Sequence, residues 1–154
     1  MSYFDEFLID TLQKKGIGFL QLSKTEEAKL IDEIQKKFTF VGSKIDWSTV
    51  KDSVNLNTLD RLEALAQISE ALSHLTVKNV CFLGDSAIDH AYIVQIDDIR
   101  EAIDIFSEIP QHTYVFPENL CWIACITFEG DLDYVDLRPT DYSSLPPLNR
   151  GNTR

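Results

Sequence analysis

Cys121 and Cys125 stand four residues apart, a spacing that invites a metal or redox reading, and the chain carries one further cysteine, Cys81, and three histidines, His74, His90 and His112. The setting of the two cysteines argues against that chemistry. They lie in Leu120-Cys121-Trp122-Ile123-Ala124-Cys125-Ile126, a continuous apolar run with the composition of a strand. Four residues of strand span roughly 13 Å, whereas disulfide α-carbons lie within about 7 Å of each other and zinc-bound sulfurs about 2.3 Å from one ion. The expectation is three reduced, buried thiols, no metal and no cofactor.

Gly84-Asp85-Ser86-Ala87-Ile88 begins like a nucleophile elbow but has Ile88 where the second glycine belongs, so it reads as a turn. A Cys–His pair such as Cys81 with His90 or His112 stays open, because catalytic groups assemble in space rather than in sequence. No Walker loop, dinucleotide glycine fingerprint, EF-hand loop, HExxH or basic aromatic surface for RNA is present. The expectation is a protein that is not an enzyme.

Charge is the stronger signal. The chain of 154 residues has a formal net charge of −11, and residues 79–137 carry twelve acids against Arg100 alone, while residues 1–78 are nearly balanced. A field of that sign repels nucleic acid and anionic membrane and attracts cationic partners, although acids also keep small domains in solution. No apolar stretch approaches a membrane span and the start lacks the regions of a secretory signal, so the expected place is the cytosol.

The elements that must position these groups divide the chain in two. A first helix follows a Ser2 cap and ends at Gly16; Ser23-Lys24-Thr25-Glu26 is a capping box for a second over about 24–37; Leu59, Leu62, Leu65, Ala66, Ser69 and Leu72 mark a third over about 58–74. Between them, 38–41 reads as a strand and 44–57 as a loop. From Val77 onward short strands take over, at 77–83, 91–96, 112–116, 120–128 and 131–137. They are interrupted by a helix opened by an Asp98–Glu101 capping box and stopped by Pro110. Both alternating sets of 120–128 are apolar, which marks a central strand covered on two faces, and Glu129-Gly130 reads as a two-residue turn. The expected fold is α+β: N-terminal helices packed on a mostly antiparallel sheet in a single domain over 1–138, with Trp122 and Phe128 in the core. An irregular tail is expected over 139–154.

The stretch IREAIDIFSEIPQHTYVFPENLCWIACITFEGDLDYVDL, with its helix, proline, aromatic strand, Trp-bearing strand and Glu-Gly turn, resembles the C-terminal half of small bacterial immunity proteins. Those proteins serve polymorphic toxin systems, including contact-dependent growth inhibition. The resemblance covers residues 79–137 and implies a small, acidic, non-catalytic protein that neutralises a cognate toxin domain by binding it. A basic nuclease is the natural target of an acidic mask. The implied toxin-binding acids are Asp85, Asp89, Glu118, Glu129, Asp131, Asp133 and Asp136, with Glu26, Glu27 and Glu33 of the balanced half as a control set. The alternatives are a SUKH-like adaptor without a toxin partner and a small Cys- or His-dependent enzyme.

Overall fold

The computed structural model describes residues 1–139. The expected tail over 140–154 lies outside the described residues. Helix α1 (Tyr3–Lys14) leads into strand β1 (Phe19–Gln21) and helix α2 (Lys24–Lys37). A hairpin of β2 (Phe40–Val41) and β3 (Lys44–Ile45), a short 3-10 turn (Trp47–Thr49) and β4 (Val54–Asn55) precede helix α3 (Arg61–Ser73). Strands β5 (Asn79–Gly84) and β6 (Tyr92–Gln95), helix α4 (Ile99–Ser107), and strands β7 (His112–Pro117), β8 (Trp122–Thr127) and β9 (Leu132–Asp136) follow.

The caps decide where the first two helices begin. Ser2 and Ser23 each accept from the backbone amide three residues on, and the Asp5 and Glu26 side chains return the bond to the cap amide. Asp98 does not do the same for α4: its side chain makes no capping bond, because a 3-10 turn over Ile96–Asp98 brings the chain in already coiled. The expected capping box there is therefore absent. The expected loop over 44–57 also contains more order than its composition indicates, since β3, the 3-10 turn and β4 all form within it.

Seven strands make one sheet in the order β1-β6-β5-β7-β8-β9-β4, every neighbour antiparallel. The fold is α+β, as the sequence indicates. Helices α1, α3 and α4 cover one face, where Phe82 and Phe106 stack at 4.1 Å between ring centroids and Leu12, Ile68, Ile103 and Trp122 are buried. Helix α2 crosses to the other face and, with the hairpin, covers Cys81, Ile93, Phe116, Ile123 and Cys125. Every residue of β8 is buried, which agrees with an interior strand covered on both sides.

The β8–β9 connection is longer than a two-residue turn. Thr127 and Asp131 close it through Thr127 N to Asp131 O (3.0 Å) and Asp131 N to Thr127 Oγ1 (2.7 Å), leaving Phe128, Glu129 and Gly130 as the loop. Gly130 supplies the required positive φ of 108°. Phe128 thus leaves the strand ladder and is 49% exposed rather than part of the core.

Candidate functional site

Strand direction sorts the seven expected binding acids into two groups. In the register, Gly84 of β5 pairs with Thr113, His112 pairs with Thr127, and Ile126 pairs with Leu132. The end of β5, the start of β7, the β8–β9 loop and the start of β9 therefore share one end of the sheet, bringing Asp85, Glu129, Asp131 and Asp133 together with the Asp89 loop. Glu118 and Asp136 lie at the other end, where Val80 pairs with Pro117 and Trp122 with Asp136. Five residues of strand, roughly 16 Å, separate the ends. Asp136 is moreover engaged by Arg138, whose guanidinium bonds at 2.6 and 2.9 Å hold its carboxyl below the usual carboxylate range.

Against the shared end stands the β2–β3 hairpin, which forms a wall between two clefts. On one side, Ile31 and Ile34 of α2, Phe40 of the hairpin and the floor residues Leu83 and Tyr114 enclose about 240 Å³. Ser43 and Asp85 close its rim. On the other side, a shallower groove runs past Lys44, Asp46, Trp47 and Asn55 to Asp131 and Asp133. Three carboxylates there face one ammonium. The wall itself is fixed by Tyr114, whose hydroxyl donates to the Ser43 carbonyl (2.9 Å) and accepts from the Ile45 amide (3.0 Å).

Not all of these acids are free to meet a partner. Asp133 is buried, 6% exposed, and accepts from Asn55 Nδ2 at 2.8 Å, so the expectation that it faces solvent is corrected. Its place in β9 between Cys125 of β8 and Asn55 of β4 sets it inside the sheet rather than at a loop tip. Asp131 stays half exposed, accepting from Asn57 (2.9 Å) with Lys44 3.7 Å away. Glu129, Asp89 and Glu118 are exposed.

Asp85 is the most heavily bonded of the set. It accepts from Ser43 Oγ (2.7 Å), Ser86 Oγ (3.2 Å) and the His112 amide (2.9 Å), and its Oδ2 lies 2.7 Å from His112 Nδ1. Burial raises its pKa, but the bonds from Ser43 and His112 outweigh it and hold the carboxyl below its ordinary value. An Asp–His pair of this kind can orient an imidazole as a base. A nucleophile is missing from the arrangement, because both serine hydroxyls donate to Asp85 and none is bonded to the imidazole.

The turn that resembled a nucleophile elbow has a structural explanation that sequence reasoning missed. The amides of Ser86, Ala87 and Ile88 all point at Gln111 Oε1, at 3.4, 2.8 and 3.3 Å. Gly84 makes the room: a β-carbon there would stand 2.2 Å from Gln111 Nε2. Two more carboxylates pin the same loop. Asp5, fully buried, accepts from Tyr92 Oη (2.6 Å), the Asp89 amide (2.7 Å) and Ser2 Oγ (2.6 Å), while Glu27 accepts from the Ala91 amide at 3.0 Å. Glu27 is thus a structural group and unsuited to a surface control. The only signal of this in the sequence is the capping role of Asp5, which the structure extends to a second job.

The cysteines are placed for packing. Cys121 touches the cluster beneath α1, α3 and α4, whereas Cys81 and Cys125 belong to the cluster on the opposite face. Burial pushes the Cys81 thiol far above its ordinary value and the Cys125 thiol up to about 12, so neither is a ready thiolate nucleophile. Among the described residues no histidine nitrogen is bonded to a cysteine: His112 turns to Asp85 and His90 to Glu27, at 3.7 Å. No group of three or more potential ligands suited to a metal is found among the described residues. No helix among them is long and apolar enough to cross a membrane. Comparison with protein-family models, with curated proteins and with solved structures gives no match.

Proposed function

We propose that the protein is a non-catalytic binding module, an immunity protein that neutralises a cationic toxin domain by covering it with the acidic end of its sheet. The observation that carries this reading is the convergence of Asp46, Asp85 and Asp131, distant in sequence, around the β2–β3 hairpin, where Lys44 lies 3.7 Å from Asp131, with Glu129 exposed in the loop at the same end of the sheet. Carboxylates gathered on one surface steer a cationic partner and accelerate its capture. The absence of a nucleophile bonded to His112, and the depth of Cys81 and Cys125, favour binding over covalent chemistry.

The test is protection. Cells expressing the protein are challenged with any basic toxin domain that sequencing of the flanking genes reveals, and the wild type is expected to keep them viable. Glu129→Lys with Asp131→Lys should abolish that protection and slow association measured with the purified toxin domain, more so at low ionic strength. Glu33→Lys with Asp32→Lys, on the exposed side of α2, should leave protection intact. Failure of the wild type to bind or protect overturns the reading.

A further inference from the structure

The cleft between α2 and the hairpin has a shape and chemistry that the shallow acidic groove lacks. Its 240 Å³ is below the roughly 300–1,000 Å³ of a drug-sized ligand pocket and suits a single side chain. Its lining is largely apolar, from Ile31, Ile34, Phe40 and Leu83, its one charge is Asp85 beside Ser43, and Gln35 adds a further polar group. None of its lining residues is a base; His112 is bonded to Asp85 and Lys44 is turned toward Asp131.

An apolar sleeve ending in a carboxylate matches one kind of guest, a long aliphatic stem with a cationic head. We infer that this cleft is the anchor pocket for an Arg or Lys side chain of the protein partner, its stem against Ile31, Phe40 and Leu83 and its head at the Ser43–Asp85 rim. The inference rests on the reading that the partner is a cationic protein, and it names the residue type that the partner must present.

The rim also sets how the head is held. Asp85 already receives four donors, so its carboxylate has no vacant lone-pair direction. The Ser43 hydroxyl, which spends its proton on Asp85, keeps its own lone pairs for an incoming N–H. Ser43 is therefore the direct acceptor and Asp85 the charge behind it. Arg is the better guest of the two, since its planar head carries five N–H donors to Lys's three, and both Ser43 and Gln35 line the cleft.

Because the inference concerns a side chain, it is tested without the partner. N-acetyl-arginine amide is titrated into the isotopically labelled protein and followed by amide NMR, with N-acetyl-norleucine amide and N-acetyl-citrulline amide as uncharged analogues. Saturable shifts are expected at Gly42, Ser43, Gly84 and Asp85, with the uncharged analogues about tenfold weaker. Asp85→Asn should weaken the arginine probe to the level of citrulline. Gln35→Arg, at the α2 edge of the cleft, should abolish binding by filling the cleft from within while leaving distant amides unmoved.

Equal binding of norleucine amide would overturn the inference in favour of a merely apolar hole, and no shift in the cleft would overturn it outright. Tighter binding of spermidine than of the arginine probe, at the same amides, would assign the cleft to a free polyamine instead. Each of these outcomes leaves the protection assay to decide separately whether the acidic end serves a toxin partner.

Discussion

The face of the sheet under α1, α3 and α4 and the face under α2 and the hairpin bury similar kinds of residue, but three helices cover the first, whereas one helix and a short hairpin cover the second, where a cleft opens beside Ser43 and Asp85. On the first, three helices present apolar stripes, and the Phe82 and Phe106 rings stack against each other. On the second, one helix and a four-residue ladder cover the sheet, with Phe40, Trp47 and Leu30 partly buried beside Ile34 and Ile45. What the comparison teaches is that a thin cover of one helix and a hairpin leaves room for recognition at the end of the sheet, while helices packed on the opposite face supply the rigidity behind it.

The comparison predicts a steep gradient of mutational cost. Phe106→Ala, which removes a fully buried ring from the closed face, should cost about 3–5 kcal/mol in denaturant unfolding, whereas Phe40→Ala at the cleft wall should cost less than about 2 kcal/mol. Equal losses would mean that the hairpin is as integral to the core as α4.

Asp5 gives the next largest effect, because its removal strands donors on the closed side. Asp5→Ala leaves the Tyr92 hydroxyl and Asp89 amide without their acceptor, an expected loss of about 3 kcal/mol. Burial raises the Asp5 pKa, but hydrogen bonds from Ser2, Tyr92 and the Asp89 amide prevail and lower it. A carboxyl depressed in the folded state contributes stability that is complete above its unfolded value near pH 4 and is lost as pH falls through the folded pKa. Stability measured from pH 6 down to pH 2 should therefore fall less steeply in Asp5→Asn than in the wild type; parallel curves would show that Asp5 does not carry the acid limb.

Gly84→Ala probes the seam between the two faces. The new β-carbon must displace the Gln111 amide and free the Ser86, Ala87 and Ile88 amides, at a cost of about 1–3 kcal/mol. Hydrogen exchange should accelerate at those three amides before any other, and unchanged protection there would refute Gln111 as the loop's anchor. Smallest of all is the stability effect of Glu129→Lys with Asp131→Lys, expected within about 1 kcal/mol since Glu129 is exposed and Asp131 makes a long, half-exposed pair. Its effect belongs to association rate, and a large drop in thermal midpoint would place these acids in the fold instead.

Local rules were readable in the chain. Ser2 and Ser23 fixed the starts of α1 and α2 because a cap is satisfied within four residues, and Pro110 and the all-apolar 120–128 run marked the end of α4 and an interior strand for equally local reasons. Strand β2 fell within the stretch 38–41 that reads as a strand, but the two-residue strands β3 and β4 were not readable, since they are held by distant partners: β3 by the Tyr114 hydroxyl and β4 by β9. The same limit applied to the candidate site. Composition located the excess acid in residues 79–137, but it could not separate Asp133, set inside the sheet, from Glu129 at a loop tip, or Asp136, engaged by Arg138, from Asp131.

Sequence alone therefore determined the helix caps, the strand periodicity, the α+β class and the sign of the surface field, all set by near neighbours or by counting. Tertiary structure alone decided that Asp85, Asp131 and the hairpin share one end, that Glu27 and Asp5 are structural, and that a cleft exists beside Ser43. The reason is physical: antiparallel register brings together residues from strands dozens of positions apart, and the burial or exposure of a carboxylate depends on which element is laid across it after the sheet has formed.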